Sequence, residues 1–183
     1  MIITTKKQLN IVLREERLLY ISQNKKQHLI NLFEQPLSYR IWKWQKRLRI
    51  CEYWQNRKGI ISHLIFRYHK RKLFSTGNKL HIEIYPGCFG KGLKIYHTGI
   101  IVNNHAQIKN NCQLHGLNCI GNKGITDACP QIGKELNLGI GACVIGDVQL
   151  GDNITIGANS VVTKSFSDNT VIVGIPGRIL CKI

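Results

Sequence analysis

The chain has 183 residues, 43% of them hydrophobic, and a formal net charge of +16. That length allows one medium domain, or a small one joined to a repeat array, with ample apolar residues for a core. The apolar stretches are short and interrupted, which excludes a transmembrane helix, and the first residues, MIITTKKQLN, lack the apolar core of a secretory signal, which places the protein in the cytosol.

The charge is uneven. Residues 1–80 hold 18 Lys and Arg against four Asp and Glu, whereas residues 81–183 hold eight against six. This asymmetry marks two parts with different partners. The basic part carries no helix-turn-helix, zinc-finger or aromatic RNA-binding motif, so nucleic acid is not an expected partner. The seven cysteines (Cys51, Cys88, Cys112, Cys119, Cys129, Cys143 and Cys181) form no CxxC pair and no zinc-like spacing with His. They read as small hydrophobes in a reducing compartment, and no metal is expected.

In chain order, residues 5–73 read as helical. Segments 9–21 and 28–33 carry apolar residues at three- and four-residue spacing. A third segment follows Pro36, with Ile41, Trp42, Leu48, Cys51 and Tyr53 on a rough stripe and Arg40, Lys43, Lys46, Arg47 and Arg49 between them. Two readings stay open for it: a cap helix packed on its neighbours with a solvated basic face, or a peripheral contact with an anionic membrane. Ser75, Thr76, Gly77 and Asn78 read as a linker, so a basic α-helical region is expected over 1–78 and a second domain over 79–183.

The second domain has a period of six. Val102, Ile108, Leu114, Ile120, Ile132, Leu138, Val144, Leu150, Ile156 and Val162 recur at every sixth position, and only Thr126 breaks the series. Neither a helix nor an ordinary sheet has that period. A coil of short strands does, each hexapeptide supplying one strand and one corner of a triangular prism. Ala106, Cys112, Ala142, Val148, Ile154 and Ser160 stand two residues earlier, on the same interior face of each strand. Gly121, Gly133, Gly139, Gly151 and Gly157 follow the aliphatic position, as expected where a sharp corner needs unusual φ. The first turns are irregular around Pro86, Gly87, Gly90 and Gly92. Residues 121–131 carry turn formers and read as a loop extruded from one corner, where function often resides.

His97 and His115 are 18 residues apart, one full turn of such a coil. With Tyr96 and Leu114 in the interior slot, both imidazoles point outward, one above the other at about strand spacing, ~4.8 Å. Such a pair suits a base and a helper. Glu83, 14 residues before His97, is placed to accept its second N–H and fix the tautomer.

The stretches GKGLKIYHTGIIVNN (90–104), LHGLNCIGNKG (114–124), ACPQIG (128–133), IGDVQLGDNITIGANSVV (145–162) and VGIPGRI (173–179) resemble the hexapeptide-repeat O-acetyltransferases, whose fold is a left-handed parallel β-helix. Among these the chain resembles the serine acetyltransferases, and most of all the short branch used in surface-polysaccharide synthesis, of the colanic acid type. The resemblance covers about residues 80–183. It implies acetyl-CoA as donor and His97 as general base, with Glu83 orienting it and His115 beside it. It also implies direct attack of an acceptor hydroxyl on the thioester, and a homotrimer with sites between subunits. It places CoA along Gly141, Ala142, Ala158 and Ser160, with Lys164 and Arg178 toward its phosphates. Serine acetyltransferases carry an aspartate where this chain has Tyr96, and Arg-His where it has Ala128 and Cys129. Those groups handle an amino acid's charges, so a sugar hydroxyl in surface or capsular polysaccharide synthesis is the expected acceptor, with L-serine as the alternative. Two other classes remain: a β-helix carbonic anhydrase with zinc on His97, His105 and His115, and a non-catalytic scaffold.

Overall fold

The computed structural model describes residues 3–21 and 24–183. The chain divides into two compact units, one of helices ending at Leu80 and one spanning His81–Ile183.

The helical unit contains α1 (Lys6–Leu18), α2 (Lys25–Glu34), α3 (Leu37–Gln55) and α4 (Ile60–Leu80). Thr5 opens α1 with a capping box: its hydroxyl accepts from the Gln8 N–H, and the Gln8 side chain accepts from the Thr5 N–H, each at 3.1 Å. Pro36 precedes the first residue of α3, a place where its missing N–H costs nothing. The α3 stripe of Ile41, Trp42, Leu48, Cys51 and Tyr53 is buried, which supports the cap-helix reading. Its aromatic side chains are mostly packed inside the unit. No helix among the described residues is long and apolar enough to cross a membrane.

Two expectations for this unit fail. Ser75–Asn78 is not a linker, because α4 runs through it. Gly77 lies on the buried side of that helix, and Thr76 Oγ1 donates back to the Lys72 carbonyl at 2.7 Å, so its hydroxyl is satisfied within the helix. Arg49 is not part of a solvated basic face. It is fully buried and grips Glu16 through Nε and Nη2 (3.0 and 2.7 Å) and Glu52 through Nη1 (2.9 Å). Gln45 donates to Glu16 at 2.9 Å and accepts from the Tyr20 hydroxyl at 2.8 Å. Burial opposes the Arg49 charge, but Glu52 and Glu16 together outweigh it and raise its pKa.

The second unit is a left-handed parallel β-helix. Its first sheet stacks β1 (Ile82–Glu83), β3 (Ile100–Val102), β6 (Cys119–Gly121), β9 (Cys143–Ile145) and β12 (Val161–Val162). The second stacks β4 (Gln107–Ile108), β7 (Gln131–Ile132) and β10 (Gln149–Leu150). The third stacks β2 (Lys94–Ile95), β5 (Gln113–Leu114), β8 (Asn137–Leu138), β11 (Ile154–Ile156) and β13 (Thr170–Val173). A final strand, β14 (Arg178–Lys182), turns back antiparallel on β13. All ten aliphatic positions of the period are buried. Thr126 falls out for a reason visible in the register. Ile108 pairs with Ile132 and Ile120 with Val144, whereas Ile132 pairs with Leu150. The extruded loop therefore consumes one whole hexad, and the prism resumes in phase.

The glycines after the aliphatic slot need a different explanation from the expected one. Positive φ is found at Asn111, Asn153, Asn159 and Asn169, among others, and not at Gly133, Gly139 or Gly157. At Gly139 a Cβ would stand 2.7 Å from the Ala158 nitrogen and 2.8 Å from the Ile156 carbonyl of the next coil. Clearance between coils, not φ, selects glycine there.

The buried ion cluster predicts the stability of the helical unit. Arg49→Ala leaves Glu16 and Glu52 uncompensated and is expected to cost about 3–5 kcal/mol. All three tryptophans (Trp42, Trp44 and Trp54) lie in α3, so a lower urea midpoint in tryptophan fluorescence checks it.

Candidate active site

His97 lies on the corner that leads from the third sheet to the first, between β2 and β3. The coil below it passes that corner as Gly116. A Cβ on Gly116 would stand 2.7 Å from His97 Cβ and 3.2 Å from the Thr98 carbonyl, and Gly116 has φ of 118°. Only glycine meets both demands. The corner below is clamped by Asn118, which is buried. Its Oδ1 accepts from the Gly116 N–H at 2.9 Å, and its Nδ2 donates to the Gly139 carbonyl at 2.7 Å and the Ala142 carbonyl at 3.2 Å. Asn118 thus ties its own corner to that of the next coil, satisfying backbone groups that a corner leaves open.

The two histidines are not stacked on each other. Ile95, not Tyr96, fills the interior slot and pairs with Leu114, 19 residues on. One extra residue in the His97 corner restores the 18-residue offset by Ile101, which pairs with Cys119. Tyr96 therefore stands over His115, ring on ring, with centroids 4.6 Å apart and planes 16° apart. The Tyr96 hydroxyl donates to Gln113 Oε1 at 2.9 Å, His115 Nε2 contacts Asn137 Oδ1 at 2.9 Å, and the Lys94 ammonium lies 5.3 Å from the Tyr96 ring centroid. Burial lowers the Lys94 pKa. His115 is consequently a half-buried partner of Tyr96 and Asn137, while His97 is exposed at the corner.

Glu83 sits in β1 and accepts from the Tyr85 hydroxyl at 3.3 Å. No hydrogen bond joins it to His97 among the described residues. Burial and the Glu83 carboxylate raise the Tyr85 pKa.

The residues expected along CoA divide. Gly141 donates its N–H to the Gly116 carbonyl at 2.9 Å, and the Asn159 N–H reaches the Ile140 carbonyl at 2.8 Å. Gly141 and the exposed Ala158 therefore continue the same prism edge that His97 heads. Ala142 and Ser160 are buried inside that edge, and Ser160 Oγ accepts from the Gly174 N–H at 2.9 Å. Both side chains face the interior of the prism. Arg178 opens β14 after the turn that packs against Val161. Lys164 lies on a different corner, between the first sheet and the Leu150–Phe166 bridge, and its ammonium covers the Phe166 ring at 5.7 Å. A single chain therefore does not bring Lys164 to His97. His105 is also remote from the pair; its Nδ1 lies 3.8 Å from Asp127 of the extruded loop. The zinc-bound carbonic anhydrase reading has no three-histidine cluster to rest on among the described residues.

Sequence reasoning placed Tyr96 in the interior, which the structure corrects, and missed Lys94, Asn118 and Asn137. The signal for Tyr96 was the aliphatic Ile95 beside it, the better candidate for an interior slot.

No family model matches the chain. Among curated proteins it is 33% identical to the serine acetyltransferase of Synechococcus elongatus over 103 residues, covering 54% of this chain and 42% of that protein. It is 32% identical to that of Staphylococcus epidermidis over 131 residues, 69% of this chain and 58% of the relative. The chain is thus similar to the serine acetyltransferases. It spans about half the length of the curated relatives it matches. Solved structures agree on the fold: the Brucella abortus serine acetyltransferase superposes with a TM-score of 0.74 at 20% identity, covering 97% of this chain and 70% of that one. Soybean serine acetyltransferase complexed with serine gives 0.67 at 26% identity, covering 94% and 69%. None of these relatives speaks for the colanic acid branch expected from the motifs.

The fit of His97 over Gly116 is directly testable. Gly116→Ala adds a methyl against His97 and strains the backbone, at a cost of about 1–3 kcal/mol. A lowered melting temperature by circular dichroism is the expected readout.

Proposed function

We propose that the chain is an acetyl-CoA-dependent O-acetyltransferase of the serine acetyltransferase type, with L-serine as the acceptor. The observation that carries this reading is an exposed histidine at the head of a coil edge in a serine acetyltransferase-like β-helix. His97 accepts the proton of the acceptor hydroxyl as its oxygen attacks the thioester carbonyl. The C–S bond then breaks, and the proton passes to the departing sulfur, giving the acetyl ester and free CoA. A positioned base contributes ~10²–10⁴-fold to such a step, because an unassisted hydroxyl holds its proton far above neutral pH. Catalytic hydrogen bonds often close only around substrate, so Glu83 keeps the orienting role in this reading, at present held by Tyr85.

The sugar acceptor expected from the sequence gives way to L-serine, because the named relatives are serine acetyltransferases. Lys94, beside the Tyr96 ring, is a cation that serves an amino acid's carboxylate. One observation keeps the saccharide reading as the second: an aromatic ring, Tyr96, occupies the place where a zwitterion's ammonium would need a carboxylate, and it lies flat on His115.

Acetyl-CoA lies along the edge of Gly141 and Ala158 in this reading, with Lys164 and Arg178 toward its phosphates. Because Lys164 stands on another corner, it serves the site of a neighbouring subunit. A homotrimer with sites between subunits is supported by Leu117 and Ile140, apolar residues 66% and 44% exposed on the His97 edge. An exposed apolar column costs free energy unless a partner covers it.

Three measurements test these statements. His97→Ala is expected to lower turnover at least ~100-fold while leaving CoA affinity nearly unchanged. Thiol release from acetyl-CoA, followed with L-serine and with nucleotide sugars, should give the higher kcat/KM for L-serine; the opposite order selects the saccharide. Leu117→Lys is expected to shift the mass by light scattering from trimer to monomer and to abolish turnover with it.

A further inference from the structure

The helical unit contains a groove of about 830 Å³ that the proposed chemistry does not use. Three helices line it. Arg14 and Arg17 come from α1, Lys43, Lys46 and Arg47 from α3, and Lys72 from α4; no described Asp or Glu lines it. Its wall includes Tyr39, Trp42 and Tyr68. The Lys43 ammonium lies 5.6 Å from the Tyr39 ring centroid and that of Lys72 lies 5.9 Å from the Tyr68 centroid, so cations and ring faces alternate along one concave surface.

The charge is uncompensated for a structural reason. The unit has only four carboxylates, Glu15, Glu16, Glu34 and Glu52. Glu16 and Glu52 are buried on Arg49 and cannot turn outward without stranding it. The groove thus gathers six cations while half of the unit's anions are locked in the core. A solvated basic face spreads its charges over a convex surface, where water separates them. A concave surface with aromatic walls concentrates the field instead. The environment of His69, which also lines the groove, registers that field: burial and then the Arg47 charge lower its pKa.

We propose that this groove is a second binding site, for an oligophosphate ester: two or more linked phosphates on the six cations, with the attached organic group against Trp42 and the tyrosines. A single monoanion would leave most of the cations unpaired. A linked diphosphate meets several at once with charge-assisted hydrogen bonds. The volume lies within the range of small-molecule sites, ~300–1,000 Å³. The phosphates can belong to a soluble nucleotide-like molecule or to a lipid headgroup, and the chemistry of the groove is the same for both. This site is independent of His97 and does not rest on the proposed acetyl transfer.

The test uses the full chain, with ADP and inorganic pyrophosphate as soluble probes in calorimetry and phosphatidylcholine vesicles carrying a polyprenyl diphosphate in flotation. The variant Arg17→Gln/Lys46→Gln removes one exposed cation from each of two helices, and circular dichroism checks its fold. Lys164→Ala/Arg178→Ala is the control for phosphate binding on the coil. ADP is expected to bind saturably, more tightly than pyrophosphate, and to weaken about tenfold in the groove variant but not in the control, with the loss steepening at low salt. Vesicle flotation lost in the groove variant, without ADP binding, supports the same groove with a lipid headgroup as the source. The proposal is overturned if neither probe nor vesicle binds. It is equally overturned if binding persists in the folded groove variant, or disappears in the coil control instead.

Discussion

Each coil of the β-helix hangs from the next by backbone hydrogen bonds, and the place of every side chain on the prism follows from that register. The Tyr96 N–H reaches the Leu114 carbonyl, the Leu117 N–H the Thr98 carbonyl, and the Gly141 N–H the Gly116 carbonyl. A shift of one residue moves a side chain to another face. Between Ile95 and Ile101 the chain makes one such shift at a corner, and it decides that Tyr96, not His97, covers His115. The catalytic candidate is left at the turn, above a glycine and beside an edge long enough for an extended ligand.

The two units solve their stability problem differently. The coil buries an uninterrupted aliphatic column, so its core is nearly free of polar groups. The helical unit buries an arginine, two glutamates, a glutamine and a tyrosine hydroxyl in one connected cluster. Such a cluster is tolerable because every member meets a partner. It also has an outward consequence, since anions held in the core cannot neutralise the surface. The basic face is therefore a product of the packing as well as of the composition.

The acceptor question turns on few residues. The likeness to serine acetyltransferases is broad, extending through both units in the solved structures, but breadth reports the fold. In the proposed reading, acceptor recognition falls to Tyr96, Lys94 and the groups around them, where this chain carries its own pattern. A ring beside an ammonium suits different ligands from an aspartate.

Length, period and charge were enough to determine the triangular coil, its ten interior positions, the extruded hexad and the basic helical segment. These are local or strictly periodic properties, and a period of six admits one kind of structure. Tertiary structure alone decided which residue stands over which. One inserted residue at the His97 corner leaves no trace in the aliphatic series, because that series begins at Val102. Nor does composition reveal that Arg49 lies inside while Lys46 lies outside, as both sit on the same basic helix. Only the approach of α1, bringing Glu16 to Arg49, separates the buried charge from the exposed one.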